Sequence, residues 1–147
     1  MTKTLQSYTP IDGSLYVERD YASIDEINET LDLACLAQKS WKQTSLQDRK
    51  KLCTRAVELF LENKTKIAGE LCWQMGRPIR YAEGEVCSFA DRAIQMISIA
   101  DEALETISVS DKAGFDRYIK RDPVGVVLVI APWNYPIHTP INAIIPA

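Results

Sequence analysis

Apolar side chains recur at three- and four-residue intervals through most of the chain, then give way to one unbroken apolar run. Ser23-Ile24-Asp25-Glu26 has the form of a capping box, and Ile24, Ile27, Leu31, Ala34 and Trp41 follow at helical spacing. That pattern predicts an amphipathic helix over residues 24–40. Ser45 with Asp48 opens a second helix, whose apolar side carries Leu52, Cys53, Ala56, Leu59 and Phe60. A third segment carries Ile67, Leu71, Cys72 and Met75 and stops at Gly76, with Pro78 two residues beyond. The rhythm of Ala82, Val86, Phe89, Ala93, Ile97, Ala100, Leu104 and Ile107 predicts one long fourth helix, roughly 40 Å at 1.5 Å rise per residue. Residues 108–114 break the rhythm, and residues 115–121 read as a polar, partly exposed strand.

After Gly125 the character changes. Val126-Val127-Leu128-Val129-Ile130 is a continuous, largely β-branched run, the pattern of a strand buried on both faces in a parallel sheet. Ala131-Pro132-Trp133-Asn134-Tyr135-Pro136 forms a proline-rich turn, and from Ile137 a helix is expected, with Pro136 or Pro140 in its first turn. Helices followed by a strand-turn-helix unit indicate the α/β class. One buried strand cannot make a sheet, and the chain stops mid-pattern at Ile144-Ile145-Pro146-Ala147, so the sequence reads as an N-terminal fragment.

Composition narrows the partners. Of 147 residues, 46% are apolar and 25% charged, a globular balance, and the net charge of -3 supplies no basic stripe for nucleic acid. Arg49-Lys50-Lys51 reads as a solvated helix face. The four cysteines form no CxxC and no Cys/His pair at metal-ligand spacing, so no metal site is expected. Each lies in or beside an apolar stripe, where free cysteine behaves as a small buried hydrophobe. Residues 1–10 lack the apolar core of a secretory signal, which with reduced thiols points to the cytoplasm. Residues 123–147 contain no charged side chain, but five of the seven prolines fall there, which argues against a membrane span.

In open α/β sheets ligands bind beyond the carboxyl ends of the strands, where Trp133 and Asn134 stand. An amide held there can donate to a developing oxyanion, and Trp133 offers a flat apolar wall to a ring or ribose. An asparagine in a turn also commonly satisfies its own backbone, and the residue types alone leave both readings open.

The stretch from Gly125 to Pro136, with its Pro-Trp-Asn-aromatic-Pro turn, resembles the aldehyde dehydrogenase superfamily. Gln74-Met75-Gly76-Arg77-Pro78 is similar to that family's Glu-x-Gly-Lys-Pro helix stop, with Gln for Glu and Arg for Lys. Both replacements stand at a helix end, away from the chemistry, where each can hydrogen-bond nearby carbonyls or carboxylates. Residues 34–41, Arg49 and Glu83-Gly84-Glu85-Val86 also follow the family's pattern, so the resemblance covers residues 23–147 in order.

The resemblance implies a Rossmann-like cofactor domain, incomplete here. Residues 1–112 would be its N-terminal helical part, 113–123 a strand of the oligomerisation sheet, and 124–147 the first strand-turn-helix. It implies NAD or NADP as cofactor, a small-molecule aldehyde as substrate, and a homodimer or homotetramer in the complete protein. Asn134 matches the catalytic asparagine of the oxyanion hole. Ile130, Ala131, Pro132 and Trp133 match the segment along the cofactor. Tyr135, His138, Thr139 and Asn142 share one helical face that lines the aldehyde tunnel. His138, taken by itself, reads as a helix residue without catalytic consequence.

In such enzymes a cysteine thiolate attacks the aldehyde, hydride leaves to the nicotinamide, and a glutamate-activated water hydrolyses the thioester. The resemblance places that cysteine and glutamate beyond Ala147, and Cys35, Cys53, Cys72 and Cys87 match neither. The chain alone is therefore expected to be inactive. A non-catalytic helical interaction fragment and an acylating relative of the same superfamily are the alternatives. Members that take an anionic semialdehyde carry arginine at the place of Asn142. No cation is expected on this face apart from protonated His138, which favours an uncharged or weakly polar aldehyde.

Overall fold

The computed structural model describes residues 4–147. The sequence readings for residues 1–3, at the start of the signal-free segment and of the first part, fall outside the described residues.

The chain opens with an antiparallel hairpin, β1 (Thr4–Tyr8) and β2 (Leu15–Asp20), which pairs Thr4 with Asp20 and Tyr8 with Leu15. The helical pattern did not predict it. Its signals are Asp12-Gly13 at the turn and Leu15-Tyr16-Val17 after it. Gly13 has φ 77°, and Asp12 Oδ1 accepts from the Ser14 amide at 2.9 Å. Tyr16 stacks on Trp73 at 5.9 Å between ring centroids.

α1 (Ile24–Trp41) begins with the expected capping box. Glu26 Oε2 accepts from the Ser23 amide at 2.7 Å, and Ser23 Oγ accepts from the Glu26 amide at 3.2 Å. Its apolar stripe buries no residue among the described ones, so Cys35 is exposed rather than buried. α2 (Leu46–Glu62) is capped by Ser45, whose hydroxyl accepts from the Asp48 amide at 3.1 Å. The residue it buries is Val57, not Ala56. Cys53, Val57 and Phe60 share the face that meets the fourth helix, while Leu52, Ala56 and Leu59 turn away from it.

α3 (Lys64–Met75) follows after Asn63 and ends where Gly76 adopts the left-handed conformation, φ 75°. α4 (Ile79–Ser98) buries Ala82, Glu85, Val86, Phe89, Ala90, Ala93 and Ile97. Cys87, outside that set, is exposed. The long fourth helix expected to Ile107 is shorter. Ile99, at φ -88° and ψ 0°, separates α4 from α5 (Ala100–Ala103). Beyond Ile97 the stripe is no longer buried, and Leu104 and Ile107 are exposed. There Asp101 binds Lys50 and accepts from Gln47 Nε2 at 2.8 Å. The basic run is thus only partly a solvated face: Lys51 is exposed, but Lys50 ties α2 to α5.

β3 (Ile107–Ser108) pairs antiparallel with β4 (Tyr118–Ile119), so the strand expected over residues 115–121 is reduced to a two-residue ladder. The run from Val126 to Ile130 is not the buried strand expected. It forms no ladder, and Leu128 is 84% exposed. Among the described residues no strand lies beside it to supply hydrogen-bond partners or a covering layer.

The helix expected from Ile137 is mostly a series of turns, with α6 confined to Ile141–Ile144. Its residues still reach the core. Ile141 packs with Val57, Phe89, Ala90, Ala93 and Ile97, while Ile137 touches both this cluster and that of Ala68, Leu71 and Ala82. Burying a side chain such as Ile141 contributes about 1.5–3 kcal/mol. No helix among the described residues is long and apolar enough to cross a membrane.

Candidate active site

Three long-range hydrogen bonds gather where the α3–α4 junction meets the turn after Trp133. Gly76 leaves α3 in the left-handed conformation and Pro78 opens α4 at φ -58°, so Arg77 sits between two conformationally restricted residues. Nearly two turns into α4, Glu85 points to the same place. Its side chain has no solvent exposure, and that of Arg77 only 13%.

Arg77 Nη2 donates to the carbonyl oxygen of Asn134 at 2.6 Å and lies 3.2 Å from Glu85 Oε2. The other carboxylate oxygen, Oε1, accepts from the backbone amides of Ile137 at 3.1 Å and His138 at 3.3 Å. The Arg77 guanidinium also lies over the Tyr135 ring, 4.5 Å from its centroid. One ion pair from α4 and its approach thereby takes up backbone groups on both sides of Tyr135 and Pro136.

These contacts border an open cleft of about 890 Å³. One wall is Met75, Arg77, Tyr81, Glu85 and Ser88, and the other is Trp133, Asn134, Tyr135, His138 and Thr139. Five of the expected site residues are therefore brought together. Ile130, Ala131 and Pro132 lie outside the cleft, with Ile130 82% and Trp133 80% exposed.

Asn142 departs from the expectation. It lies outside the cleft lining, and its Oδ1 accepts from Arg92 Nη1 at 3.0 Å. The expectation that no cation stands on this face is thus overturned twice, by Arg92 at Asn142 and by Arg77 over Tyr135. Tertiary packing brings both arginines from elements some 50 residues away. Arg77, read from its place at a helix stop as standing apart from Asn134, shares the cleft with it. Gln74 stays apart and donates to Glu70 at 2.8 Å.

The side-chain amide of Asn134 makes no hydrogen bond among the described residues. The self-satisfied turn asparagine that the residue types allowed is therefore not what forms; Arg77 serves the carbonyl, and the exposed amide faces no protein partner among the described residues. No cysteine lines the cleft. Burial pushes the Cys53 thiol up, away from the reactive thiolate. Glu85 was missed as a site residue. Its signal is a carboxylate on the buried stripe, three residues after Ala82 and four before Phe89.

The same chain of elements recurs in known proteins. The pattern described as "Aldehyde dehydrogenase family" matches residues 1–147. An NADP-dependent glyceraldehyde-3-phosphate dehydrogenase of Triticum aestivum is 34% identical over 130 residues, covering 84% of this chain and 26% of that protein. A vanillin dehydrogenase of Corynebacterium glutamicum is 30% identical over 138 residues, covering 94% of this chain and 28% of its own. The crystal structure of a NAD-dependent benzaldehyde dehydrogenase from Corynebacterium glutamicum superposes with a TM-score of 0.89 at 27% identity, over 99% of this chain and 32% of that one. This chain thus spans about three tenths of the length of the proteins it matches and has the partial α/β fold expected from its sequence. With the family pattern running through every described element and both walls of the cleft, the chain belongs to the aldehyde dehydrogenase family.

Proposed function

We propose that this chain supplies the oxyanion-stabilising and cofactor-facing part of an NAD- or NADP-dependent enzyme that oxidises an aldehyde to a carboxylic acid. The observation that carries the reading is the Asn134 side-chain amide, unpartnered at a cleft while its backbone is held by Arg77. Attack of a cysteine thiolate on the aldehyde places negative charge on the former carbonyl oxygen, and a fixed amide N–H stabilises it. The attacking cysteine comes from outside the described cleft. Glu85 is not the base, because its carboxylate is committed to Arg77 and two backbone amides.

Ile130, Ala131, Pro132 and Trp133 would hold the cofactor. Ile130 and Trp133 are uncovered and apolar, the chemistry that suits a flat ring and ribose. Hydride acceptance is what NAD or NADP supplies when bound. Tyr135, His138 and Thr139 would border the aldehyde. Residues 113–123 would join a sheet between subunits of a homodimer or homotetramer, for which the exposed Phe115, Tyr118 and Ile119 are suited. On this reading residues 1–112 and 124–147 are parts of one cofactor domain, and the four free thiols fit a cytoplasmic setting.

The test is Asn134→Ala in a complete enzyme carrying this segment. Loss of one oxyanion donor lowers kcat by about 10²–10³, with cofactor affinity little changed. Retention of near-full kcat would overturn the assignment. The 147-residue chain by itself is expected to give no aldehyde-dependent reduction of NAD or NADP, and turnover above a denatured control would contradict that.

A further inference from the structure

We infer that Arg77 and Glu85 are positioning residues for the Asn134 oxyanion donor, clamping the turn that presents it from both sides. The inference rests on the role proposed for Asn134.

Residues 133–140 lie in neither a helix nor a strand, and the turn contributes little of its own order, with Thr139 N donating to the Tyr135 carbonyl at 3.2 Å. Three of its backbone groups, the carbonyl of Asn134 and the amides of Ile137 and His138, are met instead by Arg77 and Glu85. The direction of the Asn134 amide follows from the backbone that carries it, so the clamp fixes the donor without touching substrate. The clamp has a rigid base. Gly76 is in the left-handed conformation, and a Cβ there would meet Pro10 Cγ at 2.9 Å, so the chain entering Arg77 is boxed in. The side chain of Glu85 is fully buried, and a buried carboxylate is retained only with its partner and its hydrogen bonds in place. A donor displaced by about 1 Å from its productive position costs on the order of 10²-fold in rate.

The experiment is a double-mutant cycle in a complete enzyme carrying this segment. Glu85→Gln, Arg77→Met and Arg77→Lys are each made with Asn134 intact and with Asn134→Ala. With Asn134 intact, Glu85→Gln and Arg77→Met are expected to lower kcat roughly 10- to 100-fold, with little change in cofactor Kd. Arg77→Lys is expected to recover most of what Arg77→Met loses, because an ammonium still reaches the Asn134 carbonyl. In the Asn134→Ala background the same substitutions are expected to change kcat no further, since the group they position is gone. An equal fall in both backgrounds, or no fall with Asn134 intact, overturns the inference alone. Near-full kcat in Asn134→Ala itself removes the role of Asn134, and this inference with it. If Glu85→Gln fails to fold, the two Arg77 variants carry the same cycle.

Discussion

The guanidinium of Arg77 donates to the carbonyl of Asn134 at 2.6 Å, joining two residues 57 apart in the chain. The contact turns a helix stop into part of the cleft wall. It also explains why an exposed turn without regular structure can present a defined side chain: its backbone is held by a pair of nearly buried charges on neighbouring elements.

Glu85→Ala is expected to cost about 3–5 kcal/mol, the range for breaking a buried pair from one side. It strands the Arg77 guanidinium and leaves the amides of Ile137 and His138 without an acceptor. Glu85→Gln, which keeps an acceptor oxygen, is expected to cost less. Urea unfolding of both variants checks the order, and equal losses would mean that a neutral acceptor cannot stand in for the carboxylate.

Two glycines of the same region should respond in opposite directions. Gly76→Ala forces a Cβ into a left-handed residue and against Pro10, so a loss of at least about 1–2 kcal/mol is expected. Gly69 lies inside α3 with nothing within 4 Å of its would-be Cβ, so Gly69→Ala should stabilise by about 0.5–1 kcal/mol. Thermal melts of the two variants should move apart; a stabilised Gly76→Ala would show that the α3 stop has room for a side chain, and a destabilised Gly69→Ala that the helix interior does not.

Ile141 is the residue through which the final segment enters the core between α2 and α4. Ile141→Ala is expected to cost about 2–5 kcal/mol, whereas Ile144→Ala, at an exposed position, should cost much less. Amide exchange in residues 133–140 should quicken in Ile141→Ala. Unchanged exchange there would mean that the clamp from Arg77 and Glu85 holds the turn without help from the core.

The carboxyl of Glu26 is held below the ordinary glutamate value, first by the Ser23 amide and then by the Ser23 hydroxyl. A lowered folded-state value means that its stabilisation is present above the unfolded value of 4.5 and is lost as pH falls through the lower folded value. The first turn of α1 should therefore fray in acid. Amide protection at the start of α1, taken relative to the intrinsic exchange rate at each pH, should fall on going from neutral to about pH 3, and Glu26→Gln should flatten that dependence. Wild-type protection unaffected by this pH change would show that the capping box does not need the charge.

The sequence by itself determined α1, α2, α3 and most of α4, because their signals are local. Ser23 with Glu26, Ser45 with Asp48, and Gly76 before Pro78 set helix boundaries through contacts three or four residues apart. The Trp133-Asn134 turn was legible as well, from its residue order and the family pattern it follows. Tertiary structure decided what each segment packs against. The stripe of α1 buries no residue among the described ones, and the run from Val126 to Ile130 forms no strand, since a ladder needs a neighbour that periodicity cannot supply. It decided the cleft too. Arg77, Glu85 and Asn134 are drawn together by α3 packing on α4 and by Ile137 and Ile141 filling the core beside them. A buried ion pair between distant elements leaves no periodic trace in a sequence, and only the folded chain shows which carboxylate and which guanidinium lose their water together.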